Sequence, residues 1–299
     1  MATPVRRVLR GKILLITRRC SERRFFLKPS KRTAGIFLYS LALYAKRHGI
    51  QIHAYCVLSN HYHLVLTDTD GRLPDFQRDL DSLVAKATNC ALMRWEAFWE
   101  RTSYSAVELV TRESVLEKIV YTLANPVAAG LVRQASRWPG DWSDPRRIGG
   151  PPIKIERPKV YFDEEGQMPA SVELQLTPPP GFEDDPTFVE QVLESLRESE
   201  AAAAARLARE ERTFMGVARV LAQSFFARPT SGEPHRVLSP RVACRNWWKR
   251  QEALQRLKEF ERAYHEALDA WRAGVRDALF PRGTWQMRVL HGARCAEYG

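Results

Sequence analysis

The chain has 299 residues, 44% of them hydrophobic, which is enough for two domains and an ample core. Its formal charge of +11 points to a polyanionic partner, and its five cysteines (Cys20, Cys56, Cys90, Cys244, Cys295) show no Cys-x-x-Cys pairing, which disfavours zinc ribbons and disulfide scaffolds and fits a reducing cytoplasm. No apolar run reaches the roughly 18 residues that a spanning helix needs, and no apolar stretch with a cleavage site follows the N-terminal arginines, so neither a membrane segment nor secretion is expected.

Residues 1–50 carry thirteen Lys or Arg against a single acid, Glu22, for a net of +12, so the other 249 residues sum to −1. A cluster this lopsided is the footprint of a phosphate-binding surface. Within it, 12–17 reads as a strand. The candidate contacts to a nucleic-acid backbone are Arg6, Arg7, Arg10 and Lys12 ahead of the strand and at its start. Arg18, Arg19, Arg23 and Arg24 follow at its end and in the basic loop that reaches Pro29. A helix opened by Ser30 or Thr33 runs to about residue 47, with Ile36, Leu38, Leu41 and Leu43 toward the core, and Gly49 closes it.

Strands at 51–58 and 61–67 follow, joined so tightly at Ser59 and Asn60 that they must be antiparallel neighbours. The second begins His61-Tyr62-His63. Strand side chains alternate faces, so both imidazoles point the same way, whereas on a helix they would lie about 200° apart. Two imidazoles on one sheet face make half of a divalent-metal site, with room for a substrate oxygen.

After a turn at 68–72, residues 74–92 read as a helix whose Asp75, Asp79 and Asp81 are taken as N-terminal and solvated charges rather than ligands. Trp95, Phe98 and Trp99 are expected to pack at the core and its edge. A short strand at 105–110 leads to Thr111, an N-cap for the next helix. On that helix Leu116, Ile119, Val120 and Leu123 form one apolar stripe. Ser114, Lys118, Tyr121 and Asn125 fall on the opposite side, within roughly 60° of each other.

A tyrosine beside a lysine and an asparagine, near a metal site, is the constellation of a phenolate that attacks a phosphodiester. A free phenol ionises near pH 10 and needs a cation nearby to become a useful nucleophile. Asn125 offers a third, neutral oxygen ligand. Because Asn followed by Pro126 is also the pattern of an N-cap, that second role for Asn125 stays open.

From 138 to 180 the composition shifts to Pro and Gly. Two alternating stretches, 154–162 and 170–176, are placed to pair as a hairpin. Residues 184–280 are helix-rich, with a solvated helix around 201–205, a further helix at 214–226, a Pro-broken loop at 228–240 and one long amphipathic helix across 254–279. Arg236, Arg241, Arg245, Lys249, Arg250 and Arg256 cluster around its start. Trp247 and Trp248 between them read equally as an accessory DNA contact or as packed core.

The pair of motifs, 59–64 with its two histidines and 121–132 with Tyr121 and Asn125, resembles the single-tyrosine HUH transposases, and most closely the REP-associated tyrosine transposases, over roughly residues 8–140. Ser59 stands where that family commonly has proline, and Tyr62 where it has an aliphatic residue. The resemblance implies an α+β fold: a ferredoxin-like antiparallel sheet with helices on one face over 1–140, then a Pro/Gly-rich linker at 141–183 and a mainly helical domain at 184–299. Position by position it implies His61 and His63 as metal ligands, Asn125 completing the site, and Tyr121 as nucleophile.

The expected activity is that of a transposase-type endonuclease and strand transferase. It would cleave and rejoin single-stranded, hairpin-forming, REP-like DNA through a 5′-phosphotyrosine, with Mg2+ or Mn2+ and with Lys118 among the DNA contacts. The protein would be a monomer or homodimer in the cytoplasm, associated with the nucleoid. Two other functions stay open: an inactive nucleic-acid-binding regulator of the same fold, and a metal-dependent hydrolase whose histidine pair activates water.

Overall fold

Alternating apolar residues and well-formed caps set the first elements of the chain, whose structure, a computed structural model, describes residues 5–230 and 240–297. In order these are β1 (Lys12–Arg19), α1 (Lys31–His48), β2 (Ile50–Val57), β3 (His61–Asp68), α2 (Leu73–Ala91), β4 (Ser105–Leu109) and α3 (Arg112–Ala128). There follow β5 (Ile153–Glu156), β6 (Ser171–Leu174), α4 (Phe188–Arg209), α5 (Val217–Ala222), β7 (Val242–Ala243), α6 (Trp247–Arg272) and α7 (Gln286–His291). Among the described residues no helix is long and apolar enough to cross a membrane.

Ser30 caps α1 by accepting from the Thr33 amide at 3.1 Å, and Gly49 ends it in the left-handed region at φ 63°. A side chain at Gly49 would strike the Asp70 carboxylate, so only glycine allows the immediate turn into β2. The Asp68 carboxylate accepts from the amides of Arg72 and Leu73 at 2.8 and 2.9 Å, which starts α2 at the end of β3. Thr111 and Ser114 form a reciprocal capping box at the head of α3.

The sheet runs β2-β3-β1-β4, antiparallel throughout, and β7 adds a fifth strand parallel to β4. The protein is therefore α+β, with the ferredoxin-like strand order. On one face Ile16, Ile52, Tyr62, Leu64 and Leu66 meet Phe37 and Leu41 of α1 and Leu80 and Val84 of α2. On the other, Leu15, Cys56, Val65 and Val107 meet Ile119 and Leu123 of α3, with Val192 and Leu196 of α4 in the same core. The two helices of the βαββαβ unit thus share one face, and α3 takes the face that carries the histidines.

Residues 141–183 do form the hairpin, β5 against β6, but they also supply Ile155, Phe162, Leu174 and Leu176 to the first core and Phe182 to the second. They pack onto the sheet rather than spanning between two bodies. The helix expected at 214–226 shrinks to α5, because Gln223 is extended and a turn at 224–227 follows it. The helix expected across 254–279 starts earlier, at Trp247, and ends at Arg272. Gly274 at φ 100° turns the chain, which leaves Val275 and Leu279 exposed instead of on its buried stripe. Leu38 and Leu43 are only half-buried, with Phe37, Tyr39 and Tyr44 taking the inner places on α1. Trp95 is exposed, while Phe98 is buried as expected. Arg236 and most of the loop at 228–240 lie outside the described residues.

Asp81 is not a solvated charge. Its carboxylate accepts from the Tyr62 hydroxyl at 2.7 Å and faces the Arg18 guanidinium at 3.2 Å, with 14% of the side chain exposed. Burial outweighs these partners and raises its pKa to about 6. A carboxyl raised in the folded state stabilises the fold fully below its unfolded value near 3.9, and loses that contribution as pH rises through about 6. In denaturant titrations, Asp81→Asn is expected to flatten the fall in stability between about pH 4 and about pH 7, by up to about 3 kcal/mol relative to the unsubstituted chain. Parallel pH profiles for the two proteins would contradict this account.

Candidate active site on β3 and α3

The register of β1 against β3 pairs Thr17 with His63 and Arg19 with His61. Because β3 is an interior strand of the sheet, both rings stand on its α3 face with their ring centres 4.9 Å apart. His63 is buried and His61 half-buried, so the pair forms a step from core to surface.

Hydrogen bonds fix which nitrogen each ring presents. Asn60 donates its amide nitrogen to the Arg23 carbonyl at 3.2 Å, so its amide oxygen is the atom 2.7 Å from Nδ1 of His61. An amide oxygen only accepts, hence Nδ1 carries the hydrogen and Nε2 is the basic nitrogen of the neutral ring. In His63, Nδ1 lies 2.8 Å from Thr17 Oγ1, and Nε2 lies 3.1 Å from the Asn125 amide nitrogen. A nitrogen that accepts from Asn125 holds no hydrogen, so Nδ1–H donates to Thr17 and the tautomer matches that of His61. Burial, together with the charges of His61 and Arg19, holds the His63 pKa well below the usual imidazole range. The ring is neutral, as a metal ligand must be.

Tyr121 and Asn125 come from α3, one turn apart. The Tyr121 ring stands edge-on to His63 at 5.4 Å between centres, and 46% of the residue is exposed. Asn125 lies inside the helix, so it is not an N-cap. The burial of Pro126 and Val127 in the α3 core carries the helix through a proline that local preference would place at a boundary. Lys118 sits 5.6 Å from the Tyr121 ring centre, with its ammonium on Glu117 at 2.8 Å.

The donor set can be tested against a divalent ion. Among the described residues no three His, Cys, Asp or Glu side chains converge, and the polar side chain bonded to the histidine pair from α3 is Asn125. Its amide must turn over about its soft terminal torsion to present oxygen instead of nitrogen. The present separation of 3.1 Å from His63 Nε2 matches the roughly 3 Å between adjacent ligands of an octahedral ion bound at about 2.1 Å. Two imidazoles and an amide suit Mn2+ better than Mg2+, which prefers an all-oxygen shell.

The basic residues divide. Arg19 lies across from His61, and the Arg23 carbonyl binds Asn60 next to it, so these two and Lys118 border the histidines and Tyr121. Several of the other expected DNA contacts have partners within the fold. Arg18 points to the opposite face and is held by Asp81 and the Thr102 carbonyl. Arg6 stacks on Tyr104 at 3.6 Å and bonds Ser103. Arg24 is held by Glu22 and the Phe226 carbonyl. Lys12 pairs with Glu108 at the far end of eight-residue β1, roughly 23 Å from Arg19 at the usual strand rise. Arg7 is half-buried against Gly283, and Arg10 is exposed near the Lys12 end. Sequence reasoning missed Thr17 and Asn60, whose only signal is their position opposite or beside a histidine.

No family model matches the chain, and no curated protein matches it. Among solved structures it is similar to a REP-associated tyrosine transposase bound to a REP hairpin, at 19% identity and a TM-score of 0.43, over 56% of this chain and 98% of that one. It is also similar to a protein provisionally described as a transposase, from Deinococcus radiodurans R1, at 20% identity and a TM-score of 0.30, over 40% of this chain and 95% of that one. Likenesses this distant carry no function across, so the site's own geometry has to.

In metal-free protein labelled with 15N, the His63 ring is expected to appear as the neutral Nδ1–H tautomer. His63 is expected to stay neutral as pH falls through the ordinary imidazole range near 6.5. A His63 ring that protonates in that range, or that carries its hydrogen on Nε2, would contradict the bonding described.

Proposed function

We propose that the chain is a metal-dependent tyrosine endonuclease and strand transferase acting on single-stranded, hairpin-forming DNA. The observation that carries this is the convergence of Tyr121, His63 and Asn125. A solvent-accessible phenol stands edge-on to a buried, tautomer-fixed imidazole whose Nε2 is already in contact with the next polar residue on the same helix face. The cluster leaves the phenol open to an incoming phosphate and the histidines backed by core. The resemblance of both motifs to the single-tyrosine HUH transposases, and the basic N-terminal segment, support the choice of DNA.

His61, His63 and Asn125 would hold a divalent cation, Mn2+ before Mg2+, which would neutralise the scissile phosphate and the charge that builds on it in the transition state. The protein's own part begins with Thr17 and Asn60, which hold the two rings in the right tautomer and orientation. Arg19 and Lys118 border the phosphate position with positive charge. Tyr121 Oη attacks phosphorus. The bond between phosphorus and the 3′ oxygen breaks, the phenolic proton passes to solvent, and the leaving oxygen takes up a proton to become a free 3′-OH. The fragment downstream of the break remains on Tyr121 through its 5′-phosphate, as a phosphodiester. One phosphodiester has replaced another, so attack by a 3′-OH on the linked phosphorus rejoins DNA without an external energy source.

Incubation of the full chain with a labelled hairpin-bearing single strand and Mn2+ is expected to give a covalent protein–DNA adduct, stable to denaturation and lost in Tyr121→Phe. Thr17→Val, which removes the partner of His63 Nδ1, is expected to weaken Mn2+ binding by about 10- to 100-fold in calorimetry. Cleavage that persists in Tyr121→Phe would favour water activated by the histidine pair. Tight binding of the hairpin with neither cleavage nor adduct would favour a binding regulator.

A further inference from the structure

The start of α6 is fixed beside the catalytic helix by two separate contacts. β7 extends the sheet, pairing Val242 with Glu108 and Ala243 with Leu109 of β4, so the chain leaves the sheet edge only a few residues ahead of α6. Arg245, in that short connection, bonds Glu117 at 2.7 Å. Glu117 also holds Lys118, whose ammonium lies beside the Tyr121 ring. Asn246 then caps α6, accepting from the Lys249 amide at 3.0 Å.

At this anchored corner stand two adjacent tryptophans that the fold does not cover. Trp247 is 57% exposed and Trp248 76%, with ring centres 4.6 Å apart and planes at 84°. Tryptophan is highly buried on average, so a neighbouring pair left in water on a rigid helix end calls for a partner that supplies apolar faces. The surrounding charge states the chemistry of that partner. Arg245, Lys249 and Arg250 flank the rings; the Lys249 charge acts on Glu113 of α3, and the side chain of Arg250 makes no hydrogen bond or ion pair among the described residues. The nearby carboxylates Glu113 and Glu117 belong to α3, with Glu117 neutralised by Arg245 and Lys118. Flat aromatic faces next to cations match a strand of unpaired bases on a phosphate backbone. A duplex hides its base faces in its own stack and would match only the cations.

We propose that Trp247 and Trp248, with Arg245, Lys249 and Arg250, form a stacking platform that holds single-stranded nucleic acid leading to Tyr121. This deepens the assignment of Tyr121 as a nucleophile toward DNA and rests on it for the direction of the strand. The bases on the platform are the unpaired ones flanking a hairpin, and stacking there is indifferent to their identity.

The test is fluorescence anisotropy of the full chain with an end-labelled oligothymidylate, which forms no hairpin, and with a duplex of equal length. Trp247→Ala/Trp248→Ala is expected to weaken the single strand about tenfold or more, with a much smaller change for the duplex. Trp247→Phe/Trp248→Phe, which keeps aromatic faces, is expected to retain most of the affinity. Circular dichroism confirms that each variant folds, as replacement of exposed residues should allow. Unchanged single-strand affinity in the alanine variant, equal losses for single strand and duplex, or a phenylalanine variant as weak as the alanine one would each overturn the platform. Adduct formation, measured in parallel, separates the two proposals. An adduct in the parent chain with no tryptophan effect sinks the platform alone, whereas a tryptophan effect with no adduct sinks the nuclease and leaves the platform.

Discussion

The antiparallel register of β1 on β3 is the constraint from which the site follows. It sets Thr17 across from His63 and Arg19 across from His61. A slip by one residue would turn both imidazoles into the core occupied by Tyr62 and Leu64, and Tyr62 with its bond to Asp81 onto the α3 face. The register is well guarded. Tyr62, Leu64 and Leu66 are fully buried on one side and Val65 on the other, so each alternative pairing strands apolar side chains in the wrong layer. The same alternation that builds two cores therefore delivers the histidines to the face on which α3 lies.

On that face the chemistry is built from neutral donors. Threonine, asparagine and the buried, uncharged His63 imidazole carry no formal charge, and Arg19 stands across from His61 on the neighbouring strand. Carboxylate ligands would quench a bound divalent ion and repel a phosphate. A neutral set leaves the ion's charge to the substrate, at the cost of weak binding in its absence. Such a site suits a metal that binds together with an anionic ligand, and a polyanionic substrate above all.

Much of this was legible in the sequence, for identifiable reasons. Period-two alternation and a two-residue connection located β2 and β3 and the shared face of His61 and His63. The 3.6-residue stripe of α3 put Tyr121 and Asn125 together and away from its core. Caps at Ser30, Gly49 and Thr111 lie where local chemistry places them. What escaped was decided by tertiary contact. The Asn-Pro step reads as a helix boundary, yet Pro126 is buried and the helix runs on. Arg18 and Arg19 are indistinguishable in sequence, although alternation sends one to Asp81 and the other to the histidines. A count of charges cannot see that ordering, and it credits the N-terminal segment with more available cations than the fold leaves over.

The division of cations has a further consequence for how the two ends of the chain cooperate. Of the thirteen basic residues among the first 50, Arg6, Lys12, Arg18 and Arg24 are spent on stacking, ion pairs or carbonyls within the fold. A cation from much later in the sequence, Arg245, bonds Glu117, which also holds Lys118 beside the Tyr121 ring. The parallel pairing of β7 with β4 makes this possible, because it ties the start of α6 to the same sheet that positions the histidines. A single edge strand of two residues is a weak element by itself. It is secured at the next step by the Arg245–Glu117 pair, exposed on its Arg245 side and modest in energy, and by Arg241, which reaches back to the Val5 carbonyl. The late segment is thus held to the early one by several small contacts rather than one large interface. That is how the exposed tryptophans at the head of α6 keep their position beside α3.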